Sequence, residues 1–183
     1  MTHFRRIERR SFVRALSAAL LGTFADRVSA EPAQGQRAHR RVVTGVNAAG
    51  KSIVVSDGPV PPEAAWASNG GNGADLWLLD RVPVELLDTR DPMVGYKGRQ
   101  WPPAGGVIVR VGTWPPGFAH QMHRSATMDF VFVISGRLEL LLDDGSVTLG
   151  PGDSVIQRGT PHGWRVVGDQ PCSWAVVLLA ATS

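Results

Sequence analysis

Short apolar runs bounded by turn residues recur along the chain from about residue 41, and their length and spacing predict strands rather than helices. VVTGV (42–46) and SIVVSDG (52–58) flank Asn47-Ala48-Ala49-Gly50 and predict a β-hairpin. Pro59 to Gly73, rich in Pro, Asn and Gly, predicts a loop, and ADLWLLD (74–80) a third strand. Arg90 to Gly105, with Tyr96, Trp101 and the Pro102-Pro103 pair, is a second irregular stretch. From there the runs come close together: GVIVRVGTW (106–114), MDFVFVISG (128–136), RLELLLDDG (137–145), SVTLGPGD (146–153), SVIQRG (154–159), HGWRVVG (162–168) and SWAVVLLAA (173–181). Turns at Ser135-Gly136, Asp143-Asp144-Gly145 and Pro151-Gly152-Asp153 divide them. No repeat and no sustained 3.6-residue period appears after residue 30. The pattern predicts an all-β sandwich or barrel.

Composition narrows the chemistry. A chain of 183 residues supports one domain with a real core, and 21 glycines and 13 prolines suit many short strands joined by tight turns. The single cysteine, Cys172, excludes an internal disulfide framework and a cysteine-based zinc site, so any metal must be held by His and carboxylates. The net charge of +3 is unevenly spread: residues 1–41 carry nine of the nineteen Lys and Arg against three acids, which leaves the remainder at −3. With no basic stripe on the globular part, nucleic acid is not the expected partner.

The first thirty residues have a grammar of their own. Arg9-Arg10-Ser11-Phe12-Val13-Arg14 precedes an apolar run from Ala15 to Phe24, and Val28-Ser29-Ala30 precedes Glu31. A positive region, a short apolar stretch and a small-x-small ending make a secretory signal, and the paired arginines resemble a twin-arginine export signal. Residues 1–30 are therefore expected to be a signal peptide and 31–40 a linker, with the protein periplasmic or secreted. The other reading is an Arg-rich amphipathic helix retained on a cytoplasmic protein. Ten apolar residues are too few to span a bilayer.

The block from Pro116 to His162 resembles the cupin superfamily, whose barrels carry two short motifs. The first, H-x-H followed by an acid and a glycine, finds His123, Ser125 in place of the second histidine, Asp129 in place of Glu, and Gly136 at the family spacing. The second, P-x-G-x-x-H-x-x-x-N, finds Gln157, Gly159, His162 and, in place of the asparagine, Val166. The resemblance implies a single jelly-roll β-barrel over 106–183, with the N-terminal hairpin as an extension and residues 41–105 packing on the barrel. The longer pattern is similar to a branch of single-domain bacterial and fungal cupins, some of them named oxidoreductases of secondary metabolism.

The residues also carry the chemistry by themselves. Two imidazoles and a carboxylate suit Fe(II), Mn, Ni or Zn and leave coordination positions open. His123, Asp129 and His162 are the candidate ligands, with His120 a fourth donor on the approach loop. The two motif histidines, 39 residues apart, should converge, and Asp129 should face inward with Val131 and Val133. Asp129 could instead hold Arg124 or Arg158. Arg158, Gln157, Trp164 and Phe130 are candidate substrate contacts, and His162 the candidate catalytic group. The leading expectation is a metal-dependent enzyme on a small organic molecule, of oxidoreductase or dioxygenase type. The alternatives are a binding cupin without turnover and a metal-free isomerase or lyase using His162 as base. Strands such as 173–181 and the hairpin at 42–58 are apolar enough to be at risk as free sheet edges, which points to a homodimer that pairs sheet edges or apolar outer faces.

Overall fold

The computed structural model describes residues 39–68, 70–86 and 90–182. The expected signal peptide, and the linker apart from its last two residues, lie outside these. Twelve strands account for the described fold: β1 (Arg40–Val46), β2 (Ser52–Pro59), β3 (Ala65–Ser68), β4 (Gly71–Leu79), β5 (Val107–Trp114), β6 (Ala119–His123), β7 (Thr127–Ser135), β8 (Leu138–Leu141), β9 (Ser146–Leu149), β10 (Ser154–Arg158), β11 (His162–Val166) and β12 (Cys172–Ala180).

Alternation along each strand decides which face is buried. In β7, Thr127, Asp129, Val131 and Val133 point inward while Phe132 and Ile134 are exposed. In β12, Cys172, Trp174, Val176 and Leu178 are the buried set. The inward residues of two antiparallel sheets, ordered β10-β7-β12-β5-β4-β3 and β6-β11-β8-β9, share one core. Ile108, Val131 and Leu178 come to it from the first sheet, and Leu138, Leu149 and Val166 from the second. This is a barrel, one of the two all-β forms expected from the strand spacing, with the jelly-roll architecture that the resemblance implied.

The hairpin β1-β2 forms a separate two-stranded sheet, with Val42, Val46 and Ile53 exposed. Arg41 clamps it to the body: its guanidinium pairs with Asp91, donates to the Leu76 carbonyl at 3.2 Å and lies 5.5 Å from the Trp77 ring centre.

Two departures from the sequence reading matter for the site. Residues 65–68, read as loop, form the edge strand β3, whose pairing with β4 extends the barrel sheet. Residues 119–123, read as an approach loop, form β6, the edge strand of the smaller sheet. Pro and Gly at the flanks hid both, because each strand is only four or five residues long.

Candidate functional site

β6 and β11 bring the histidines together. His162 is the register partner of His123, and Trp164 that of His120, so Gln121 and Met122 of β6 together oppose Gly163 of β11. That bulge breaks the strict alternation that would send side chains three apart to opposite faces. His120 and His123 therefore stand side by side, their rings 4.4 Å apart, and His123 faces His162 at 4.2 Å between ring centres. Gly163 permits the close approach, since a Cβ there would lie 3.0 Å from the His120 carbonyl oxygen.

Hydrogen bonding fixes the Nδ1 proton of all three rings. The Gln121 carbonyl is the partner of Nδ1 of both His120 (3.2 Å) and His123 (3.0 Å), and the Thr160 carbonyl is the partner of His162 Nδ1 (2.9 Å). A carbonyl oxygen only accepts, so each Nδ1 is the donor, and in the neutral ring the lone pair sits on Nε2. Burial pushes the pKa of His162 and of His120 down, and mutual repulsion among the neighbouring imidazoles adds to the effect, which favours the neutral forms of these two rings. His162 is almost fully enclosed, at 2% exposure.

Asp129 enters the same cavity from β7, at 5% exposure. Burial raises its carboxyl pKa, outweighing a Thr127 hydrogen bond and the attraction of His123 and Arg110. Its Oδ1 has no hydrogen-bond partner, nor has Nε2 of Gln157, its register neighbour on β10. Neither Arg124 nor Arg158 pairs with it: Arg124 donates from Nε to the Gly159 carbonyl at 2.8 Å.

The other substrate candidates divide by strand parity. Trp164 is buried and lines the cavity. Gln157 is buried but does not line it, its Oε1 accepting from the Thr160 hydroxyl at 2.7 Å. Arg158 and Phe130 alternate with the inward residues Gln157 and Asp129, so they face outward and leave the cavity wall. Their assignment as pocket residues is corrected on that ground. Ser125, which occupies the place of a motif histidine, is buried and accepts the Thr127 hydroxyl at 2.8 Å. His120 supplies the third imidazole instead, through the bulge.

The cavity has a volume of about 440 Å³ and adjoins a second lobe of about 400 Å³, with which it shares the lining residues Arg110, Trp114, His120 and Trp174. Arg110 bonds Asp75 from Nε at 2.5 Å, and Asp75 also accepts the Tyr96 hydroxyl at 2.7 Å. Arg110, Trp114 and Trp174 were not singled out by sequence reasoning, because nothing local distinguishes them from other strand residues, and Arg124 was considered only as a partner for Asp129. Among the described residues, no three His, Cys, Asp or Glu side chains are grouped tightly enough to hold a metal ion as they stand. The donor chemistry nevertheless fits one: three imidazoles whose Nδ1 is engaged by a carbonyl, which leaves Nε2 as the ligating nitrogen, and a buried carboxyl oxygen lacking a partner.

Comparison with known proteins agrees with this architecture. A family model described as "Cupin domain" matches residues 110–178. The chain is 30% identical over 146 residues to the cupin-domain-containing oxidoreductase srdD of Neurospora crassa, covering 75% of this chain and 71% of that protein. It is 30% identical over 150 residues to the cupin-domain-containing oxidoreductase virC of Hypocrea virens, covering 80% and 76%. A shorter stretch of 83 residues is 45% identical to the oryzines biosynthesis cluster protein J of Aspergillus oryzae, covering 45% of each chain.

Proposed function

The chain belongs to the cupin superfamily, and from that premise we propose that it is a metal-dependent oxidoreductase acting on a small organic molecule. The observation that carries the proposal is the shared tautomer of His120, His123 and His162: each Nδ1 is tied to a main-chain carbonyl, the outer-shell bond that typically orients a metal-bound imidazole. These three would hold the ion, with Asp129 as the weaker fourth donor. A buried carboxyl with an unpaired oxygen is costly, and a cation is the partner that best offsets the cost. The nitrogen and oxygen set suits Fe(II), Mn, Ni or Zn. A bound ion would supply Lewis acidity or a redox centre beside the substrate. The printed names of the relatives support the oxidoreductase class.

The protein's own residues do the rest. Gln121 and Thr160 orient the imidazoles through their carbonyls, and Trp164 walls the cavity beside His162. Export by the twin-arginine route is proposed on the strength of Arg9-Arg10 and Val28-Ser29-Ala30.

A second reading is favoured by one observation, the lack of three tightly grouped donors among the described residues: a cupin that binds a small molecule without metal or turnover. Metal content separates the two. Protein purified without chelator should contain close to one divalent ion per chain by elemental analysis. His162→Ala should abolish it, and Asp129→Ala should weaken it less. A metal-free wild-type protein that takes up none of the four ions on dialysis would hand the site to the binding reading.

A further inference from the structure

A row of four residues crosses the barrel wall at one level. Trp66 on β3 is the register partner of Gly73 on β4, Gly73 that of Gly112 on β5, and Gly112 that of Trp174 on β12. The two glycines leave the centre of the row bare, and the two indoles lie over it. A Cβ at Gly73 would come within 2.2 Å of the Trp66 ring, and one at Gly112 would meet Trp174 at 2.5 Å and Trp66 at 2.9 Å. The indole planes differ by only 26°, with ring centres 6.1 Å apart. Both rings reach Gly112, so the two nearly parallel indoles together cover the glycine row with aromatic surface. Neither indole N–H has a hydrogen-bond partner, so the rings are set by the glycine row and by packing rather than by polar contacts.

This surface is part of the cavity wall. Trp66 and Trp174 line the second lobe, and Trp174 also lines the lobe that holds the histidines. Trp114 packs on Trp174 at 4.6 Å and continues the aromatic lining between the lobes. Arg124 also lines the histidine lobe, and among the described residues its guanidinium has no ion-pair partner, its Nε bonding only the neutral Gly159 carbonyl.

We infer that the substrate is a planar aromatic molecule bearing an anionic group, its ring laid on the Trp66–Trp174 surface and its charge directed to Arg124. The inference deepens the enzyme reading above and rests on it for the word substrate, but the binding it describes does not need the metal. Flat ring faces select flat partners through offset stacking, an effect of roughly two- to tenfold per contact beyond the area buried. A guanidinium without a counter-ion selects carboxylate or phenolate.

The test titrates the full chain by calorimetry with 2-naphthoate and with decahydro-2-naphthoate, a saturated probe of the same charge and similar length, with and without EDTA. The planar probe should bind about tenfold more tightly, equally in both buffers. Trp66→Leu should remove most of that preference while changing saturated-probe affinity less than threefold, and Arg124→Gln should weaken both probes alike. Equal affinity of the two probes, or no binding of naphthoate at millimolar concentration, overturns the inference. That comparison uses the unmodified protein, so it stands whether or not Trp66→Leu folds. Loss of the planar preference with metal still bound sinks this inference alone. Planar preference in a protein that never takes up metal sinks the enzyme reading and leaves an aromatic-anion binding site.

Discussion

The glycine row can be challenged directly with Gly73→Ala. The added Cβ would lie 2.3 Å from the Val111 carbonyl oxygen and 2.2 Å from the Trp66 ring, where ordinary contact begins near 3.4 Å. The indole could swing away, but the carbonyl cannot. It belongs to β5, which is held between β4 and β12 by register pairs along most of its length. Relief therefore requires about 1 Å of separation between two central strands, and overpacking of this kind costs up to about 3 kcal/mol or more. For a protein of this size that is a fall in Tm of roughly 6–12 °C. Gly58→Ala is the matched control, since nothing lies within 4 Å of the position and its backbone is ordinary strand. It should move Tm by less than about 2 °C, as other unconstrained surface changes do. Thermal unfolding followed by circular dichroism measures both. A Gly73→Ala protein melting within 2 °C of the parent would refute the register that aligns Trp66, Gly73, Gly112 and Trp174. For Gly112→Ala the three nearest atoms all belong to indoles, so it should cost less stability, about 1–2 kcal/mol, and displace the aromatic surface instead.

Three further outcomes are expected. In metal-free protein the raised Asp129 carboxyl contributes stability that is fully present below its unfolded value of 3.8 and lost as pH rises through the folded value, so Asp129→Asn should melt higher than the parent at pH 7, and the gap should close toward pH 3. The lowered pKa values of His162 and His120 act in the opposite sense: their contribution is complete above the unfolded value of 6.5 and is lost as pH falls through the folded values, so urea midpoints should drop from pH 6.5 to 5, and His162→Gln should flatten that slope. Phe132, Ile134 and Ile156 form an exposed apolar face on β7 and β10, and a homodimer is expected to cover such a face; light scattering should give twice the chain mass, and Phe132→Glu with Ile156→Lys should halve it.

What the sequence determined is whatever depends on near neighbours. Alternating runs such as Thr127–Ser135 and Cys172–Ala180 can bury one face only as strands, so the all-β fold and the inward set of each strand were legible from parity. The same parity placed Asp129 with Val131 and Val133, and motif spacing brought His123 and His162 forward as a pair. Parity also separates Gln157 from Arg158, and reading both into one pocket overlooked it. The tertiary structure decided the rest. His120 joins the other histidines because β6 bulges against β11, and a bulge is set by the partner strand rather than by the bulged sequence. Trp66 meets Trp174 across 108 residues of chain through three successive registers, none of which either tryptophan encodes. Register is chosen by the packing of whole faces against the opposite sheet, and residues are aligned across strands only once that core has closed.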